Sequence, residues 1–250
     1  MQRSNFVVGV LGVATNATVN FFEQWAKVFP AKKEWDRPRI IIDNNCTMPS
    51  RVRALLYNEN VELLVEQMTD SIKLLINAGC CKILIACNTA HVFLDSIYEK
   101  FPPARNYIVD IIDNCADYLQ KRGVKKVFLM ASEGTILSGT YQKKLSARGI
   151  ECFAPPTEEF FMLRNFIEAV KQNDFTDEVK KQFVNFVYRN KAECGGAIIL
   201  GCTELPVMYD KCKDELTEIN FYDPMLIVLE KLKAEFNENL NGKSLAGTLE

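Results

Sequence analysis

Two short stretches constrain this chain more than anything else in it: Leu84-Ile85-Ala86-Cys87-Asn88-Thr89-Ala90-His91 and Ile199-Leu200-Gly201-Cys202-Thr203-Glu204-Leu205-Pro206. Each opens on an apolar run (Ile83 to Ala86, Ala197 to Leu200) that follows a small-residue turn, the pattern of a buried parallel strand. Each run stops at a small residue, then a cysteine, then a polar residue able to cap a helix. Both thiols are therefore expected at the carboxyl ends of sheet strands, the edge at which open α/β sheets bind ligands. The cysteines lie 115 positions apart, about the length of one domain. They read as one site assembled from two similar halves.

The rest of the pattern fits that frame. Phe6 to Gly12 and Ile40 to Ile42 read as strands, the first followed by a helix capped by Thr15 or Asn16 with Val19, Phe22, Ala26 and Phe29 on its inner face. A long helix with Val61, Leu64, Val65, Met68, Ile72, Leu75 and Ile76 on one stripe stops at Asn77-Ala78-Gly79. The first cysteine strand, a helix through Phe93 and Ile97, and a strand at Tyr107 to Val109 follow. At Lys125 to Met130 the opening strand repeats, 119 positions on from Val8 when counted to Val127. Two near-equal offsets point to an internal duplication. After it come a short strand at Glu151 to Phe153, helices bearing Leu163, Phe166, Ile167 and Val170, then Val179, Phe183, Phe186 and Val187, and the second cysteine strand. Strand and helix alternate throughout, so the class is α/β with mainly parallel sheets in two similar, pseudo-two-fold lobes. Residues 1–112 with 221–250 are expected to form the first lobe and 113–220 the second. The last helix, Met225 to Phe236, crosses back to the first, and Asn237 to Glu250 reads as a loose polar tail.

Composition narrows the partners. Thirty basic and 32 acidic side chains leave a net charge of −2, which gives nucleic acid and membrane surfaces nothing to recognise. No apolar run reaches membrane-spanning length, and Met1-Gln2-Arg3-Ser4 leads into a strand rather than a signal sequence, so a soluble, cytoplasmic protein is expected. Nine cysteines, an odd count without framework spacing, are expected to be reduced and mostly to act as small apolar side chains.

Cys87 and Cys202 stand apart from that group. A thiol titrates near 8.5, and a helix start lowers the value, leaving some thiolate near neutral pH. Cys87 and His91, four apart on one helix face, could hold a metal, but His91 is the only histidine and no C-x-x-C accompanies it, so no metal is expected. Cys87 with His91 as base could form an acyl-enzyme, which would leave Cys202 unexplained. A matched pair of thiols suits a reaction that removes a proton from one face of a carbon and returns one to the other.

Ala86-Cys87-Asn88-Thr89-Ala90-His91 and Gly201-Cys202-Thr203-Glu204-Leu205-Pro206 resemble the paired signatures of the aspartate/glutamate racemase family, and the resemblance runs over nearly the whole chain. Asp43-Asn44-Asn45, Met48-Pro49-Ser50-Arg51, Gly134-Thr135, Ser138-Gly139 and Tyr141-Gln142 are similar too. The resemblance implies a cofactor-independent amino-acid racemase, without pyridoxal phosphate, acting on aspartate first and glutamate second. It implies a cleft between two lobes, a homodimer, a small-molecule amino-acid substrate, and Cys87 and Cys202 as the two-base pair. It places Arg51 and Lys171 on substrate carboxylates, Asn45, Asn88, Thr89, Thr135 and Thr203 in substrate binding, and Glu204 as an orienter or ammonium partner. His91 would tune the Cys87 thiolate or simply pack. One departure bears on the substrate: the family's L-G-G-M-G-P loop is here Leu11-Gly12-Val13-Ala14-Thr15-Asn16, with Thr15 and Asn16 left to offer polar groups. Competing expectations are a maleate-type cis–trans isomerase, a racemase of other amino acids, a thiol hydrolase, and a non-catalytic two-lobed protein that closes on a small anion.

Overall fold

A computed structural model describes residues 6–246 of the chain. The readings made for Met1 to Ser4 and for the last four residues of the tail lie outside the described residues. The first half runs β1 (Val7–Gly12), α1 (Thr15–Val28), β2 (Arg39–Asn44), α2 (Arg51–Tyr57), α3 (Val61–Asn77), β3 (Lys82–Ile85), α4 (Leu94–Lys100) and α5 (Ile111–Lys121). The second runs β4 (Lys126–Ala131), α6 (Glu133–Leu137), α7 (Thr140–Ser146), β5 (Glu151–Phe153), α8 (Phe160–Lys171), α9 (Asp177–Cys194), β6 (Ala197–Gly201), α10 (Leu205–Cys212), β7 (Asn220–Tyr222) and α11 (Pro224–Ala246).

Two parallel sheets result, in the orders β2-β1-β3 and β5-β4-β6-β7. The stretch expected as a strand at Tyr107 to Val109 makes a single parallel bridge, Ile108 to Ile83, with Ile83 N–H donating to Tyr107 O at 2.8 Å and Val109 N–H to Ile83 O at 2.9 Å. That bridge sits where β7 sits in the other sheet, so the two halves share one strand plan. Each central strand, β1 and β4, is flanked on one side by the strand that ends in a cysteine.

Period-two alternation splits the first sheet's faces. Val8, Val10, Leu84 and Ala86 join an apolar cluster with α1, α5 and α11, whereas Leu11, Ile83 and Ile85 pack against Leu64, Met68, Ile72 and Leu75 of α3. The former cluster continues without a break into the second half, through Val127 to Ala131 of β4 and the ring stack of Phe128, Phe166, Phe183 and Phe186. Phe236 of α11 packs on Phe6 and Phe29, ring centroids 5.6 and 6.2 Å apart, so the last helix returns to the first half.

Three sequence readings are corrected. The buried face of α1 carries Ala17, Thr18, Phe21, Trp25 and Val28, while Val19 and Phe22 are 52% and 47% exposed. Two apolar stripes compete on this helix, and the one holding Trp25, the largest apolar surface, wins; its ring lies 4.2 Å from that of Phe29. The N-cap of α1 is Ala14, not Thr15 or Asn16, and Thr18 Oγ1 donates back to Ala14 O at 3.0 Å. The polar stretch after Phe236 continues as helix to Ala246.

Close packing at the end of β6 yields a test. A Cβ built on Gly201 would lie 2.8 Å from Leu129 Cδ1 and 3.0 Å from the Ala131 Cβ. Gly201→Ala is expected to cost about 1–3 kcal/mol, the usual range for overpacking, read from the midpoint of urea unfolding.

Candidate active site

Within each sheet parallel pairing brings the carboxyl ends of neighbouring strands together, and residues that follow β1, β3, β4 and β6 line a single cavity of about 330 Å³. Its wall takes Val13, Ala14 and Ala17 from the start of α1, Ser50, Arg51 and Val52 from the start of α2, and Ala86 to Thr89 from the end of β3. The second half supplies Ser132 and Glu133 after β4, four residues of α8, and Cys202, Thr203 and Glu204 after β6. Cys87 and Cys202, each partly exposed, border this same cavity from opposite halves. Of the residues singled out from sequence, Arg51, Asn88, Thr89, Lys171, Thr203 and Glu204 also lie in the wall.

The others stand behind it or beside it. Thr135 is fully buried, and its hydroxyl, that of Ser132 and that of Thr89 form a triangle with edges of 2.9, 2.9 and 3.0 Å that joins the halves. Thr15 is turned aside, its Oγ1 3.4 Å from Cys46 Sγ and within reach of the Asn44 amide. Asn16 Nδ2 donates to Lys171 O at 3.4 Å, a link from α1 to the end of α8. Asn45 is occupied elsewhere, accepting from Thr47 of its own loop and donating to Ser71 Oγ of α3. Sequence reasoning missed Ser132, Glu133, Arg164 and Glu168. Arg164, Glu168 and Lys171 at spacings of four and three would have shown one helix face carrying charge, had that face been known to meet a cleft.

Local bonds fix the first cysteine through its backbone. His91 is 3% exposed, and its Nδ1 lies 2.9 Å from Cys87 O. A carbonyl only accepts, so Nδ1 carries the proton. Burial depresses the pKa of His91 against the opposing pull of Asp110, which keeps the ring neutral. The histidine therefore holds the strand end, and its contact is with the carbonyl rather than the sulfur. Asn88, 3% exposed, accepts from the buried Tyr141 hydroxyl of α7 at 2.5 Å.

The second cysteine is governed by an acid. Cys202 Sγ donates to Glu204 Oε2 at 3.0 Å, and Thr203 Oγ1 donates to the same oxygen at 3.0 Å. Burial first, and then the Glu204 charge, pushes the Cys202 thiol well above its ordinary range. The helix-start argument thus fails for this residue: α10 begins only at Leu205, and an adjacent carboxylate outweighs the helix dipole. Desolvation opposes the charge on Lys171, but its 2.7 Å bond to Glu168, with Glu204 and Cys202 nearby, leaves its pKa raised. Arg51 Nη1 donates to Pro49 O at 3.2 Å, and its Nε has no partner. Among the described residues no group of three or more His, Cys, Asp or Glu side chains is gathered to hold a metal.

Two measurements check this geometry. Glu204→Gln removes the neighbouring negative charge, so the Cys202 pKa is expected to fall, and iodoacetamide should alkylate that thiol faster near pH 7.5 than in the wild type, as followed by peptide mass spectrometry. Tyr141→Phe leaves the buried Asn88 oxygen without its donor and is expected to cost about 1–3 kcal/mol in stability, visible in the thermal midpoint.

Comparison with known proteins bears on what the cavity is for. The Asp/Glu/hydantoin racemase domain profile matches residues 10–232. The structure superposes on that of Picrophilus torridus aspartate racemase with a TM-score of 0.78 at 28% identity, covering 93% of this chain and 94% of that one. Among curated relatives, glutamate racemase of Aquifex aeolicus is 24% identical over 185 residues, 74% of this chain and 69% of its own. The broad specificity amino-acid racemase RacX of Bacillus subtilis is 24% identical over 220 residues, 86% of this chain and 92% of its own. Glutamate racemase from Francisella tularensis, solved with D-glutamate, shares the fold at a TM-score of 0.67 and 19% identity, covering 94% of this chain and 82% of that one. A match that enters in β1, takes in both cysteine strands and leaves in α11 settles the family: this chain belongs to the Asp/Glu/hydantoin racemases, which are isomerases.

Proposed function

We propose that the protein racemises an acidic amino acid, aspartate first and glutamate second, without pyridoxal phosphate: one of Cys87 and Cys202, as thiolate, takes the α-proton from one face of the carbon, and the other, as thiol, gives its own proton to the opposite face. The observation that carries this reading is the pair of thiols, one from each half at equivalent strand ends, facing one cavity with cations in its wall. The α-proton is weakly acidic, and the carboxylate beside it gains charge as the proton leaves. Arg51, with its unpartnered Nε, is the group to hold that carboxylate bidentately, a contact of the kind worth a few kcal/mol when it strengthens in the transition state. Lys171 takes the side-chain carboxylate, and Asn88, Thr89 and Thr203 the remaining polar groups of the substrate.

The two thiols differ in their surroundings. Cys202 is held protonated in the free cavity, which suits it to donate, and its proton faces Glu204, the group placed to receive it when the opposite enantiomer calls for a thiolate. Cys87 then takes the base role in the first direction. Aspartate and glutamate racemases among the similar proteins support the acidic substrate, and RacX supports a wider range of amino acids. A cytoplasmic homodimer completes the reading on family grounds.

Cys87→Ala and Cys202→Ala are each expected to abolish racemisation in both directions. The check is α-proton exchange of L- and D-aspartate in D2O, followed by NMR, with glutamate, neutral and basic amino acids and maleate screened alongside. Full turnover in either variant removes that cysteine from the mechanism. Conversion of maleate alone assigns the site to cis–trans isomerisation. Ligand-dependent thermal stabilisation without any exchange assigns it to binding.

A further inference from the structure

The cavity face of α8 carries charges that alternate in sign. Arg164, Glu168 and Lys171 all border the cavity, and each cation is already engaged: Lys171 Nζ lies 2.7 Å from Glu168 Oε1, and Arg164 Nη2 lies 2.5 Å from Glu133 Oε2. With Glu204, 6% exposed beside Cys202, the wall sets three acids against three bases. Among the described residues of the wall, Arg51 is the one cation with no carboxylate partner.

An acidic amino acid brings two carboxylates into this balanced wall. Arg51 has donors free for one of them. The other must go to a cation that already holds an internal carboxylate. From this arrangement we infer that Glu168 is the residue that sets side-chain specificity. It competes with the substrate's distal carboxylate for Lys171, and so brings acidic substrates and substrates with a distal amide closer together in turnover than an unpaired lysine would. The inference rests on the racemase reading above and adds to it the group that tunes substrate choice. An amide suits the occupied state, because its oxygen can share the Lys171 ammonium while its NH2 donates to Glu168.

Magnitude follows from exposure. The Lys171 and Glu168 side chains are 43% and 49% exposed, and pairs of this kind are weak, so exchange of partners is easy and the bias is several-fold rather than orders of magnitude.

The experiment compares kcat/KM for aspartate and asparagine, by α-proton exchange in D2O, in the wild type and in Glu168→Gln. The aspartate-to-asparagine ratio is expected to rise about two- to five-fold in the variant, the range that release of an exposed ion pair allows, with the gain falling in KM. In a Lys171→Met background the same substitution is expected to leave the ratio unchanged. An unchanged or falling ratio in Glu168→Gln, or a rise that persists without Lys171, overturns the inference while leaving racemisation intact. Absence of exchange with every amino acid in the wild type instead overturns the racemase reading, and this inference with it.

Discussion

Parallel pairing around β1 and β4 is the constraint on which everything else depends. In a parallel sheet each strand must be followed by a crossover, so all the loops that leave the carboxyl ends emerge on one edge. Because both sheets repeat one strand plan, β3 and β6 occupy equivalent places beside their central strands, and the residues that follow them arrive at one cavity. The cysteines need no special loop to meet it. Register does that work: Leu11 pairs with Ile85 and Ala131 with Gly201, so each cysteine strand ends level with its central neighbour.

Equivalence of the backbone does not extend to the chemistry. Cys87 follows Ala86 at a turn pinned through its carbonyl by a neutral histidine, and Cys202 hands its proton toward a buried glutamate. One half stiffens the main chain under its thiol, and the other sets the protonation of the thiol itself. Between them lie uncharged cross-links, the hydroxyl triangle of Thr89, Ser132 and Thr135 and the Tyr141 bond to Asn88, which tie the site together without adding net charge. Polar groups so far inside are tolerable because their partners are in place.

The sequence was most informative where periodicity and small-residue turns coincide. The two cysteine strands, the long apolar stripe of α3 and its stop at Gly79, whose φ is +88°, could be read directly. It was less informative where two patterns compete. Along α1 the stripe through Val19 and Phe22 and the stripe through Phe21 and Trp25 are one residue out of phase, and only long-range packing against β1 and α11 separates them. At the site, residues that follow a strand end were legible because topology places them. Glu133, Arg164 and Glu168 were not, since the face a helix turns toward a cleft depends on long-range packing. Thr15 and Asn45 show the converse: polar residues near a site in sequence whose hydrogen bonds go to neighbours outside the cavity wall, Cys46 and Asn44 for the one, Thr47 and Ser71 for the other.

The continuous apolar cluster has a mechanical consequence. Phe6, Val8 and Trp25 belong to the same core as Phe128, Phe166 and Phe183, with α5 and α11 packed among them. Swinging one half away from the other would wet that shared interior at about 25 cal/mol for every Å² exposed, which makes a jaw-like opening expensive. Compliance is left to elements with little apolar anchorage. One such element is the short helix α2, which begins at Arg51, has Ala54 as its one fully buried side chain, and meets Gly134 of α6 through Val52 and Leu55. A ligand entering such a body meets least resistance at the rim, where a short helix can shift without wetting the shared interior.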